Sequence, residues 1–246
     1  MRPSLQMRLS LQTRLSTVPA SEGSTTFDLE ACRHEASEIH AQVFKDQSTL
    51  SWREAKAPWS WLDRELSSNV AGETGAVCIY EGARAALLLR GNASTETLAF
   101  IDEHRDTEAS HLELFLDMLP PEKYTRLLPA WRVAGFSLGF LPALVSDRWL
   151  FLTVDLTVEA VETFVEEHYN EQITPLLAGP HAGVAPHLVA LLQHCCEDEV
   201  HHKEDAARRA GIGEVAADAG RTAVERAWMA IVRVGSAVAA SLARRI

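Results

Sequence analysis

A chain of 246 residues, 47% hydrophobic and 23% charged, is long enough for one or two domains and apolar enough to bury a sizeable core. Its net charge of −11 argues against nucleic acid as the main partner, since phosphate backbones are held by clustered Lys and Arg. The four cysteines, Cys32, Cys78, Cys195 and Cys196, follow neither a zinc spacing nor a disulfide framework, so the adjacent pair reads as helix packing in a reducing interior.

The first 21 residues contain no acid and carry Arg2, Arg8 and Arg14 among Ser, Thr, Gln and Leu. This composition resembles a mitochondrial transit peptide, with a plain disordered tail as the alternative. Residues 1–25 are therefore set apart from the fold. Residues 26–60 read as an N-terminal extension: a weakly striped helix over Phe27–Lys45, then a connector, Gln47–Ser60, holding Trp52, Pro58 and Trp59. Residues 61–246 read as one domain.

Within it, Trp61–Arg90 is the first bundle helix. Its Gly72 and Gly75 are poor helix formers that suit a close approach of helices. Gly91-Asn92 is a turn. Ser94–Met118 is the second helix, capped by Ser94 and stopped by Pro120-Pro121. Pro121–Arg148 is a long crossover whose stretch Leu127–Val145 is apolar apart from Arg132 and Ser137. Pro142 and the shortness of that run argue against a spanning helix, which needs about 20 apolar residues. The stretch reads as an interfacial or re-entrant segment, with a buried core helix as the alternative. Trp149–Leu176 is the third helix, closed by Pro175 and Gly179; Ala185–Ala210 is the fourth, ended by Gly211 and Gly213. Thr222–Arg245 is a last helix with a basic end, Arg244-Arg245, placed to cover the bundle or touch a membrane.

One unit occurs twice in this frame: a lone glutamate followed, 35 or 37 residues later, by Glu-x-x-His. The first copy is Glu73 with Glu108 and His111; the second is Glu162 with Glu199 and His202. The midpoints fall at Gly91-Asn92 and Gly179-Pro180, both turn sequences. Folding two helices back at such a turn brings residues equidistant from it to one height, and Glu-x-x-His places both side chains on one helix face. Two such hairpins give four carboxylates and two imidazoles, the ligand set of ferritin-like di-iron or di-manganese proteins. The predicted fold class is thus all-α: a ferritin-like four-helix bundle of two hairpins with an apolar crossover and an additional C-terminal helix. The neighbours agree. Glu73 shares a stripe with Leu66, Val70, Val77 and Tyr80, Glu162 with Val158, Val165 and Tyr169, and Glu199 with Leu188, Leu192 and Cys195. Carboxylates in apolar stripes are costly to bury unless paired or metal-bound. Asp198 and His201 compete with Glu199 and His202 but lie on a more polar face. His104, one turn before Glu108, reads as solvated, with a place behind the metal ligands as the alternative. Tyr169 shares a face with Glu162 and reads as a core tyrosine or a relay to the metal. His168 reads as exposed or packed.

Several stretches together resemble the demethoxyubiquinone hydroxylase family. They are Ala71-Gly72-Glu73-Thr74-Gly75-Ala76, Glu108-Ala109-Ser110-His111-Leu112, Val161-Glu162 with His168-Tyr169-Asn170-Glu171-Gln172-Ile173, and Asp198-Glu199-Val200-His201-His202. Pro129-Ala130-Trp131 and Gly135-Phe136-Ser137-Leu138-Gly139 add to the match. The resemblance implies a di-iron carboxylate monooxygenase that uses O2 to hydroxylate the ring of demethoxyubiquinone in ubiquinone biosynthesis. It implies two iron ions held by Glu73, Glu108, His111, Glu162, Glu199 and His202, with His168 and Tyr169 delivering electrons and protons. It further implies NADH as electron source and a peripheral position on the matrix side of the mitochondrial inner membrane. A lipid-binding partner protein and a larger biosynthetic complex go with it, and a homo-oligomer is compatible with it. The chain departs from the family pattern at Asn69-Val70, where Asp-His is usual, at Thr74, at His201, and in the extra carboxylates Glu159 and Glu166. The extra carboxylates favour a second reading, another ferritin-like metal protein that oxidises iron, reduces peroxide or holds manganese. A third is a non-catalytic quinone-lipid-binding assembly protein.

Overall fold

The computed structural model describes residues 27–46, 60–150, 168–178, 182–210 and 223–244, and among them every regular element is helical. The helices are α1 (Leu29–Asp46), α2 (Trp61–Arg90), α3 (Thr95–Met118) and α4 (Leu128–Val145), then α5, of which residues 168–178 are described, α6 (Pro186–Ala210) and α7 (Ala223–Ala243). The N-terminal tail 1–25, the connector at 47–59, Glu159, Glu162 and Glu166, the Gly179-Pro180 turn and the terminators Gly211 and Gly213 lie outside the described residues. The four cysteines are free thiols.

The α2–α3 hairpin is built by local chemistry. Ser60 and Asp63 form a reciprocal capping box at the start of α2. Gly91 ends α2 in the left-handed region at φ 70°, and its N–H donates to the Leu87 carbonyl. The Ser94 hydroxyl accepts the Thr97 N–H and starts α3. Arg84 bridges the two helices to Asp102 at 2.8 Å. Pro120 and Pro121 then stop α3, leaving a single 3₁₀ turn at Pro121–Lys123.

Two apolar layers fill the bundle. One joins Leu62, Leu66 and Val70 of α2 to Phe115 and Met118 of α3, Ile173 and Leu176 of α5, and Leu188, Leu192 and Cys195 of α6. The other joins Tyr80, Ala83 and Leu87 to Phe100, Ile101, Ala143 and Leu150. Along α2 the layers occupy residues 62–70 and 80–87; along α3 they occupy 115–118 and 100–101. The level between them falls at Glu73 on α2 and at Glu108 and His111 on α3. The hairpin thus places its acids and imidazole between two hydrophobic slabs.

Helix α4 lies along α2 at backbone contact. A Cβ on Gly139 would fall on the Ile79 carbonyl, one on Gly135 on the Gly75 carbonyl, and one on Gly82 on the Phe136 carbonyl. The close approach expected at Gly75 holds only through its carbonyl, which Gly135 meets; a Cβ on Gly75 itself would touch nothing, whereas one on Gly82 would. It does not hold at Gly72, around which a Cβ would meet nothing. The apolar crossover is neither wholly interfacial nor a buried core helix. Its glycine face packs, Pro142 is accommodated within it, and Val133, Leu141 and Val145 point outward. Helix α1 closes the other side. Its Glu35 carboxylate accepts the Leu188 N–H at 2.9 Å and a bond from His187 Nδ1 at 2.8 Å, capping the start of α6 from another helix.

Candidate metal centre

Each contributing helix carries its polar residue inside an otherwise buried stripe. On α3 the stripe runs Thr97, Phe100, Ile101, His104, Glu108, His111, Phe115, Met118, all buried. On α2 Glu73 follows buried Leu66 and Val70. On α6 Glu199 and His202 follow Leu188, Leu192 and Cys195. A carboxylate so placed cannot turn to water without dragging its stripe out of the core.

The side chains converge. Ligand atoms of Glu73, Glu108, His111 and Glu199 all lie within 4.8 Å of one another. His202 joins them, its Nδ1 lying 3.0 Å from Glu108 Oε1. Five of the six residues singled out by the repeat therefore meet at one level, and the sixth, Glu162, lies outside the described residues. His202 is buried and His201 exposed, so the register chosen for α6 is the one observed. The competing Asp198 is not idle, because its Oδ2 sits 2.9 Å from His111 Nε2. That bond keeps a proton on Nε2, so in the neutral ring the lone pair is on Nδ1, facing the cluster.

The reading of His104 needs correction. It is buried, not solvated, because it belongs to the same stripe as Glu108 and His111. Its Nδ1 donates to the Phe100 carbonyl at 3.0 Å, and its ring packs 4.4 Å from that of His202. Burial, with the neighbouring His202, lowers its pKa to about 4, so it is neutral at physiological pH.

Tyr169 is buried, and its hydroxyl donates to Glu73 Oε1 at 3.3 Å. His168 points the other way, its Nε2 lying 2.8 Å from Asn69 Oδ1. Asn69 and Gln172 pair through their amides in both directions at 3.0 Å. Sequence reasoning missed Asn69 and Gln172 as partners and passed over Arg244, which lies 2.7 Å from His168 Nδ1. Only the run His168 to Gln172 hinted at them.

The electrostatics show what the cluster wants. Burial, then the nearby Glu108 charge, pushes Glu73 well above the usual carboxylate range and Glu199 up to about 8. Burial also opposes ionising Glu108, but its bond to His202 and that ring's charge outweigh burial and hold it low. Burial disfavours protonated His111 and His202, yet bonds to Asp198 and Glu108 raise both. Protons thus balance charge that cations would otherwise balance. Among the described residues three ligand-type atoms, Glu108 Oε2, His111 Nδ1 and His104 Nε2, are buried with no hydrogen-bond partner, the first two of them in the cluster. Such orphans cost about 1–3 kcal/mol each unless something binds them. Carboxylate oxygens and imidazoles, with no thiolate among them, suit iron or manganese. The residues present fit such an ion.

Residues 60–243 match the sequence profile of the family described as Ubiquinone biosynthesis protein COQ7. A Dictyostelium discoideum protein named NADPH-dependent 3-demethoxyubiquinone 3-hydroxylase, mitochondrial, is 31% identical over 188 residues, covering 75% of this chain and 77% of its own. The Saccharomyces cerevisiae 5-demethoxyubiquinone hydroxylase, mitochondrial, is 27% identical across 76% of this chain and 82% of its own. A Rhodospirillum rubrum 3-demethoxyubiquinol 3-hydroxylase is 34% identical but aligns with only 47% of this chain and 52% of its own. The profile match takes in every helix from α2 to α7 and every residue of the convergent cluster, and on that extent the chain belongs to the COQ7 family of ubiquinone biosynthesis proteins.

Proposed function

We propose that this protein hydroxylates the benzoquinone ring of demethoxyubiquinone at its last unsubstituted position, a step of ubiquinone biosynthesis. The observation that carries the reading is the meeting of Glu73, Glu108, His111, Glu199 and His202 around two unpartnered ligand atoms, in a chain whose relatives are named for this reaction. Those five residues and Glu162 would hold two iron ions. Bound iron would supply the reductive activation of O2, which protein side chains alone do not.

The chain's own groups set the stage. Asp198 fixes the His111 tautomer. His104 backs His202. Tyr169 holds the Glu73 carboxylate with a hydroxyl proton that can be handed into the site. The two apolar layers keep bulk water from both ends of the polar level. Electrons come from a reduced nicotinamide: the family resemblance suggests NADH, and the name of the Dictyostelium discoideum relative specifies NADPH.

Helices α4 and α7 are each long and apolar enough to cross a bilayer by length and composition. The glycine contact binds α4 lengthwise to α2, so we place both on the bilayer surface, through Val133, Leu141 and Val145 and through Ile231, Val234 and Val238. On this reading the protein is peripheral, and the family resemblance suggests the matrix face of the mitochondrial inner membrane, beside its long-tailed substrate, a lipid-binding partner and the larger biosynthetic complex. The test is made in cells deleted for this chain. Demethoxyubiquinone should accumulate, and wild-type protein but not Glu108→Ala should restore ubiquinone. Unchanged quinones in the deletion strain would overturn the reading.

A further inference from the structure

The C-terminal end of α7 reaches into the frame of the site. The Arg244 guanidinium lies 3.0 Å from Glu65 Oε2 through Nε, 2.7 Å from Glu171 Oε2 through a terminal nitrogen, and 2.7 Å from His168 Nδ1 through that same nitrogen. Glu65, His168 and Glu171 bring their ligand atoms close enough to hold a cation. The cation standing among them is the guanidinium, so this second acidic cluster is an arginine socket and not a metal site.

The socket determines the state of His168. A guanidinium has five donors and no acceptor, and it stays charged at any physiological pH. The His168 Nδ1 beside it must therefore accept. Glu65 Oε2 also lies near Nδ1, but at 3.5 Å against 2.7 Å for the arginine. With Nδ1 accepting, the ring proton sits on Nε2 and is donated to Asn69 Oδ1 at 2.8 Å. Asn69 Oδ1 also takes a proton from Gln172, whose own oxygen accepts from the Asn69 amide; the Gln172 nitrogen lies 3.1 Å from His168 Nε2, and both nitrogens donate to the shared Asn69 oxygen. Asn at position 69 presents no anion to Nε2. Burial, then the arginine's charge, lowers His168 to about 3, in agreement with a neutral ring.

We infer that Arg244 is a positioning residue that locks His168 as the neutral Nε2–H tautomer and thereby holds α5 in register against α2. The consequence is mechanical. His168 is chained to Asn69, one turn before Glu73, and the adjacent Tyr169 donates to Glu73 itself. A helix whose other residues expose Ile231, Val234 and Val238 is thus tied by its last turn to the carboxylate of the candidate metal centre. Docking or displacement of α7 would be felt at Tyr169 and Glu73.

The experiment uses the full-length chain, as purified and with zinc in the metal sites, and reads the His168 ring nitrogens by long-range proton–nitrogen correlation. Wild type should show a bare Nδ1 and a protonated Nε2. Arg244→Met should lose that pattern, giving mixed tautomers or a ring that titrates upward, and Arg244→Lys should restore it in part. A wild-type Nδ1–H tautomer, or a pattern unchanged in Arg244→Met, overturns the inference. This arm needs no catalytic activity. A second arm rests on the hydroxylase reading: Arg244→Met should lower kcat on the order of tenfold with little change in KM, as outer-shell losses do. The loss should vanish in a His168→Gln background. Equal losses in both backgrounds would show that Arg244 does not act through His168. A wild type without quinone turnover would instead refute the hydroxylase reading and leave the tautomer result standing.

Discussion

Replacing Asp198 by alanine separates an orienting carboxylate from a ligating one. His111 has two nitrogens with different surroundings: Nε2 meets Asp198 Oδ2 at 2.9 Å, and Nδ1 is buried with no partner. Asp198 therefore aims a lone pair at the cluster without entering it. Deleting a hydrogen bond to a charged group costs about 1.5–3 kcal/mol. At 1.4 kcal/mol per tenfold, that corresponds to roughly 10–100-fold in metal affinity. The Asp198 side chain is 29% exposed, and water can partly replace it, so the loss should fall near tenfold. His194 Nε2, at 3.4 Å from the same oxygen, contributes less, and His194→Ala should cost about threefold or below. The assay is Fe(II) titration against a competing chelator, with iron per chain counted at saturation. Asp198→Ala should keep the stoichiometry and lose affinity, whereas Glu199→Ala should lose stoichiometry. Wild-type affinity in Asp198→Ala would show that the bond does not orient His111. A lost iron would show that Asp198 is itself a ligand.

Other consequences follow from the same geometry. Gly139→Leu would drive a side chain into the Ile79 carbonyl; α4 must lift from α2, and thermal unfolding should show destabilisation of about 3 kcal/mol or more, with wild-type melting as the contrary result. Raised carboxylates at Glu73 and Glu199 are offset below about pH 6.5 by the lowered His104 and His168; above it, with raised His111 and His202, the folded metal-stripped chain binds more protons than the unfolded one, up to about pH 8. Its stability should therefore fall as pH rises through that window, and metal binding should release protons, read by calorimetry in buffers of different ionisation enthalpy. A metal-stripped chain that grows more stable from pH 6.5 to pH 8 would contradict these shifts. Tyr169→Phe removes the 3.3 Å bond to Glu73 and keeps the ring, so iron content should hold while turnover slows; unchanged turnover would leave Tyr169 a core residue only.

The hairpin of α2 and α3 was legible because its signals are local. Gly91 adopts the backbone that a turn needs, Ser94 caps, and the equal spacing of Glu73 and Glu108 about that turn sets their height. The register of α6 was legible for a similar reason, since Leu188, Leu192 and Cys195 mark the buried face on which His202, and not His201, must fall. His104 was misread although its stripe was in view: residues 104, 108 and 111 lie on one face, and burial follows for all three or none. The crossover was ambiguous because apolar composition does not say which face packs. The spacing of Gly135 and Gly139 carried that information, and only their meeting with Gly75 and Ile79 gives it meaning. The arginine socket was beyond sequence reasoning. Arg244 reaches Glu65 across 179 positions and Glu171 across 73, and a single basic residue near a chain end has no periodicity to betray it.

The central claim is that two irons held by these residues oxygenate a quinone ring. The direct measurement is anaerobic loading with Fe(II), metal analysis, then reaction with demethoxyubiquinone, reduced nicotinamide and ¹⁸O₂, with mass spectrometry of the quinone. Two irons per chain and one labelled oxygen in the new ring hydroxyl are expected, with both lost in Glu108→Ala. Product without label, product from the metal-stripped chain, or two bound irons with no product would contradict it.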